Sequence, residues 1–203
     1  MTATPEETRH ALLGEDLTGA AWRAYEASVR RHFRFVVTPS VPILFFGDSI
    51  RYSTSALKVI TVGLNPSKRE FPTRDRFERF PRAREAYPAI LTGSHAEEYL
   101  RALDDYFRVA PYSAWFNRSF ERLLRGMGCS YYDSNGSTAL HTDLCSPIAT
   151  DPTWSSLNRP DRDVLYGDGV ALWHTLVRAL RPDIVLISVA RAHLTKLAFP
   201  VGT

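Results

Sequence analysis

Apolar positions in this chain switch between helical and strand spacing, and the switches mark out its elements. Trp22, Tyr25, Val29, His32 and Phe33 recur at helical intervals, which predicts a helix over 19–35. The run 43–46, Ile-Leu-Phe-Phe, reads as a short strand stopped by Gly47 and Asp48. The clearest buried strand is 57–62, Leu-Lys-Val-Ile-Thr-Val, which runs straight into Gly63-Leu64-Asn65-Pro66-Ser67. A polar and aromatic stretch dense in Arg, Phe and Pro follows over 68–93. Helices are then predicted over 95–107, with Leu100, Leu103 and Phe107 on one face, and over 113–126, burying Trp115, Phe116, Phe120, Leu123 and Leu124. A second strand over 137–144 leads to a loop with Pro147, Pro152 and Trp154. A helix over 169–180 carries Leu172, Trp173, Leu176 and Val177. It ends at Arg181-Pro182-Asp183, before an apolar strand over 184–189 and a helical turn over 190–197.

Strands alternating with helices predict an α/β fold with a mainly parallel sheet. Ligands in such sheets sit beyond the carboxyl ends of the strands. The loops after Val62, Leu140 and Ile187 are therefore where a site is expected. The chain of 203 residues reads as a single domain spanning 1–203, and its 44% hydrophobic content supplies one sizeable core. No apolar run approaches the roughly 20 residues of a membrane span, and the first residues carry no signal-peptide core. Two cysteines are too few for a disulfide framework or a cysteine-built metal site. The expectation is a cytoplasmic, monomeric protein with no membrane contact, no metal and no cofactor.

The net charge of +3 says little about partners, but 22 of the 25 basic residues are Arg. Arg grips phosphate bidentately and stacks on bases, although a bias toward GC-rich codons gives the same excess. Over 68–84, seven basic residues face three acidic ones, with Phe71, Phe77 and Phe80 interleaved. Phosphate contact with base stacking would use such a stretch, and so would an ordinary solvated loop.

The loop Gly63-Leu64-Asn65-Pro66-Ser67 is neither a Walker loop nor a dinucleotide fingerprint, since the required glycines and lysine are missing. Gly63 permits close backbone approach, and Pro66 stiffens the turn so that Asn65 is held in one orientation. Ser67 with Glu70 fits a helix capping box. The compressed His141-Thr142-Asp143-Leu144-Cys145 does not have metal-ligand spacing.

A strand followed by GLNPS resembles the first motif of the uracil-DNA glycosylase superfamily, whose mismatch-specific and single-strand-selective branches carry G-[IM]-N-P there. Leu140-His141-Thr142 lies where these enzymes place an L-N-T strand end that reads the pyrimidine. Trp173 on a helix, followed by VLISVARAHL, looks like the family's W-helix, apolar strand and S-x-A turn. Ala190-Arg191-Ala192 stands where relatives often have Gly-Ser-x-Ala. The likeness covers about 57–197. The family's further core strand and its second motif, His-Pro-Ser or Asn-Pro-Ser, do not occur before Thr203. That leaves a C-terminally truncated chain, a leaving group stabilised in another way, or a protein without catalysis.

The resemblance implies a three-layer α/β/α fold, a DNA partner and hydrolysis of the N-glycosidic bond of a flipped uracil-like, mismatched or modified pyrimidine. In that match Asn65 orients the attacking water, with Glu70 or Asp143 supplying a carboxylate, since an amide is a poor general base. Gly63, Leu64, Phe71 and His141 bind the base, with Phe71 as a stacking platform. Ser67, Lys68, Arg69, Arg74 and Arg191 face the DNA. Phe71 could equally be core and His141 a structural histidine. His141 in place of Asn would read a different base edge. Lys68 is the one lysine near the loop, so Schiff-base lyase chemistry is not expected. A catalytically silent nucleic-acid-binding module and another α/β enzyme acting on nucleotides remain as alternatives.

Overall fold

The computed structural model describes residues 4–86, 96–132, 136–194 and 197. Four strands form an all-parallel sheet: β1 (Val59–Gly63), β2 (Cys129–Ser130), β3 (Ser137–Asp143) and β4 (Ile184–Ile187), in the order β2-β3-β1-β4. With its helices this is the α/β class, and β1 lies centrally between β3 and β4. Register pairs Gly63 with Asp143 and Thr61 with His141, so the carboxyl ends of β1 and β3 lie level. Every residue of β1 is buried, as its uncharged, β-branched run of Val59, Ile60, Thr61 and Val62 predicts. Among the described residues, no helix is long and apolar enough to cross a membrane.

The helix expected over 19–35 is α1 (Pro5–Arg30). It starts far earlier because Thr4 and Glu7 form a capping box with Pro5 at the first turn. It stops earlier too, since His32 takes a left-handed backbone with φ of 54°. A short helix α2 (Ser49–Thr54) follows Asp48, whose side chain caps it. The run 43–46 is not a strand: it crosses the core as buried irregular chain, and only Phe46 makes an isolated antiparallel bridge, to His141. Gly47, at φ of 114°, turns the chain away at once, so no ladder can extend.

After α3 (Pro81–Ala86), the helix expected over 95–107 is broken into α4 (Ala96–Asp104) and α5 (Tyr106–Val109); His95 lies outside the described residues, as does the end of the 68–93 stretch. The helix expected over 113–126 divides into α6 (Ser113–Phe116), a π-helical stretch Asn117–Glu121 and α7 (Arg122–Gly126). The π stretch changes the phase of the helical pattern along this segment, and Trp115 and Leu123 are exposed rather than core. The helix expected over 169–180 is the longer α8 (Arg159–Leu180), opened by Asn158. Gly169 lets it press onto the loop after β3, where a Cβ would lie 2.0 Å from the Cys145 carbonyl oxygen. Trp173, buried, donates from Nε1 to Thr142 Oγ1 at 3.1 Å and ties α8 to β3. The last turn is α9 (Arg191–Leu194).

Candidate active site

Beyond the carboxyl ends of β1 and β3 the two following loops zip together. Leu144 donates its N–H to Gly63 and Cys145 to Leu64. Farther on, Thr150 donates to Pro66 and accepts at its carbonyl from Lys68. Asn65 reinforces the seam: its Nδ2 donates to Pro66 O at 2.7 Å and to Thr150 Oγ1 at 3.0 Å. Both amide hydrogens are thereby committed, while Oδ1 accepts nothing from the described residues and remains available as an acceptor.

The seam forms one wall of a pocket of about 360 Å³. Gly63, Leu64, Asn65, Ser67, Arg69, Glu70, His141 and Asp143 line it, which brings most of the sequence-expected site residues together. Space at Gly63 is tight: a Cβ there would stand 2.7 Å from Asp143 Oδ1 and 3.1 Å from His141 Nε2, both side-chain atoms.

His141 and Asp143 form the pocket floor, with side chains only 3% and 5% exposed. Nε2 of the one lies 3.7 Å from Oδ1 of the other, too far for a hydrogen bond. Nδ1 of His141 meets Thr61 Oγ1 at 2.7 Å, and Thr61 meets the Tyr131 hydroxyl in turn. The imidazole is ringed by Phe46, Trp115, Phe116 and Phe120 at centroid distances of 5.6, 5.0, 5.2 and 6.0 Å. The Asp143 carboxylate makes no hydrogen bond with any described residue, which is unusual for a carboxylate so deeply placed.

Glu70 is the second carboxyl in the wall. Burial pushes its pKa up to about 7, and the neighbouring Asp143 adds to the rise; the Tyr106 hydroxyl, donating to Oε2, and the Arg79 guanidinium hold it down. The expected capping box is only half made: Ser67 accepts from the Arg69 N–H, whereas Glu70 turns inward to Tyr106. Tyr106 also accepts from the Tyr112 N–H, linking Glu70 to the pocket rim.

Phe71 does not reach the pocket. Its ring is fully buried and stacks on Phe80 at 5.4 Å, so it belongs to the core. The aromatic surfaces that do face the pocket are Phe46, Tyr112, Trp115, Phe116 and Trp154. Sequence gave no means to single these out, because which ring meets a cavity depends on the π turn and on the loop path. Much of the basic stretch is already engaged by neighbouring groups. Lys68 pairs with Asp151 at 2.9 Å, Arg82 with Glu98 and Asp105, and Arg84 with Asp75. Arg76 donates to Phe71 O, and Arg79 to Arg69 O and Ala110 O. Arg69 remains at the rim, its guanidinium 5.5 Å from the Tyr112 ring centre. Arg74 and Arg191 are exposed and do not line the pocket.

Among the described residues, no cluster of three His, Cys, Asp or Glu could hold a metal ion. Comparisons of the chain with protein-family models, with curated proteins and with solved structures find no match.

Proposed function

We propose that the protein is a monofunctional DNA N-glycosylase of the uracil-DNA glycosylase type, acting on a flipped uracil-like, mismatched or modified pyrimidine. One observation carries this reading: an amide oxygen (Asn65), a near-neutral carboxyl (Glu70) and a polar floor (His141, Asp143) share one aromatic-walled pocket at the carboxyl edge of a parallel sheet. A planar heterocycle fits between such rings, and the base must leave the stack to enter. Asn65 Oδ1 accepts a hydrogen bond from the attacking water and aims it at the sugar C1′. The C1′–N bond breaks with its electron pair leaving on the base, the water oxygen joins C1′, and the surplus proton passes to Glu70 or to the base. Glu70 near neutrality is suited to exchange that proton.

The pairing of Lys68, Arg82 and Arg84 with nearby carboxylates favours a second reading, in which the same pocket cleaves a free nucleoside or nucleotide instead of a base in DNA. Oligonucleotides carrying uracil, mismatched or modified pyrimidines are incubated with protein, and abasic sites are cleaved with alkali. Strand cleavage that disappears in Asn65→Ala supports the first reading. Release from mononucleotides alone supports the second, and no release from either defeats both.

A further inference from the structure

The polar floor has an internal logic that reaches below the pocket. Tyr131 OH is buried, and among the described residues its one hydrogen-bond partner is Thr61 Oγ1. A buried phenol with one partner must donate to it, since an orphaned O–H donor is costly. Thr61 then has a single hydrogen of its own, with two acceptors in reach: His141 Nδ1 at 2.7 Å and Leu140 O at 3.4 Å. The shorter contact takes it, which makes Nδ1 an acceptor and leaves the ring proton on Nε2. Asp143 points the same way. Its Oδ1 faces Nε2 at 3.7 Å, and a carboxylate oxygen favours an N–H there over a nitrogen lone pair.

We propose that Tyr131 and Thr61 are positioning residues that hold His141 as the neutral Nε2–H tautomer. His141 Nε2–H and Asp143 Oδ1 then form a donor–acceptor pair for a heterocycle edge bearing an acceptor beside an N–H. The separation of 3.7 Å leaves the two groups unsatisfied by each other and side by side, and Gly63 keeps the space before them open. A carbonyl next to a ring N–H, the imide edge of a uracil-type base, meets both; a base methylated at that nitrogen offers Asp143 no proton. This rests on reading the pocket as a base site.

The test uses the full chain labelled with 15N and long-range 1H–15N spectra of its six histidines, His141 being identified by the signals lost in His141→Gln. A pyrrole-like Nε2 and a pyridine-like Nδ1 are expected; a proton on Nδ1, alone or with Nε2, overturns the proposal. Tyr131→Phe keeps the ring, which stacks on Phe107 at 4.5 Å, and removes only the hydroxyl. Its His141 shifts should move toward a mixture of tautomers, while Thr61→Ser should keep the wild-type pattern; unchanged shifts in Tyr131→Phe remove Tyr131 from the relay. Free uracil should perturb the Nε2 signal, and 3-methyluracil should bind at least about tenfold more weakly. Equal binding, or none by either base, overturns the edge recognition. Selective uracil binding without base release from DNA defeats only the glycosylase reading.

Discussion

Asp143 and His141 lie two residues apart on one strand, and their side chains converge to 3.7 Å on the same face. Alternation along a strand puts such a pair together. Their common neighbour across the ladder is Gly63, which faces Asp143 in register. Adding a methyl group there, as Gly63→Ala, should press on both side-chain ends, which can give way, more than on the backbone. The expected outcome is a stability loss of about 1 kcal/mol and a fall in kcat/KM for base release of about 100-fold. Urea titration beside base-release kinetics checks both figures.

At Asn65 two substitutions part company. Asn65→Ala removes the oxygen that the proposed mechanism uses to orient the water and should lower base release by about 100-fold. Asn65→Asp offers a stronger base, yet it sets a carboxylate oxygen against Pro66 O and Ile148 O, where Nδ2 now donates. It should cost roughly 1–3 kcal/mol of stability and fail to raise the rate. An Asp variant as stable as the parent would show that the seam does not depend on the amide.

Glu70 gives the protein a defined dependence on pH. Its folded pKa, about 7, stands above the ordinary 4.5, so between these values the folded state binds the proton that the unfolded chain has lost. Stability therefore falls as pH rises from about 4.5 to 7, by about 3 kcal/mol from this group. Glu70→Gln should flatten that part of the profile, as read by denaturant unfolding at several pH values. An unchanged slope in the variant would remove Glu70 as its source.

Trp115 stands at the pocket mouth, 36% exposed, with its ring edge-on to His141. Trp115→Ala should raise KM by about tenfold through lost stacking, leave kcat near its original value and cost less than about 1 kcal/mol of stability. A large drop in thermal midpoint would mark it as core instead.

Gly169→Ala tests the packing behind the site. The added Cβ meets a backbone carbonyl at 2.0 Å, and α8 cannot yield without lifting off the loop after β3. A destabilisation of about 3 kcal/mol or more is expected from calorimetry.

The strands β1 and β4 were legible as short β-branched and apolar runs closed by turn residues, and a parallel sheet puts a site beyond the carboxyl ends of its strands. That ground marked out the loops, and Asn65, His141 and Asp143 were named within them by the glycosylase resemblance. The segment 43–46 shows the limit: an apolar run reports burial, and whether it pairs depends on neighbours far away in sequence. The start of α1 was available in Thr4, Pro5 and Glu7, whose capping signature outranks the later apolar spacing. Pairings such as Lys68 with Asp151 join residues distant along the chain, so the basic stretch looked freer than it is. Tyr131 and Thr61 carry no motif; only the ladder brings their hydroxyl groups under His141.

The backbone seam between the loops after β1 and β3 has a further consequence. Its rungs at Gly63, Leu64, Pro66 and Lys68 are main-chain bonds, indifferent to the side chains they carry. Wall and floor of the pocket are thus fastened by a frame that contributes none of its own bonds to chemistry. Side chains mounted on such a frame can be exchanged while the mount persists, so a single substitution at a floor position such as His141 can change what the pocket accepts without loosening the pocket itself.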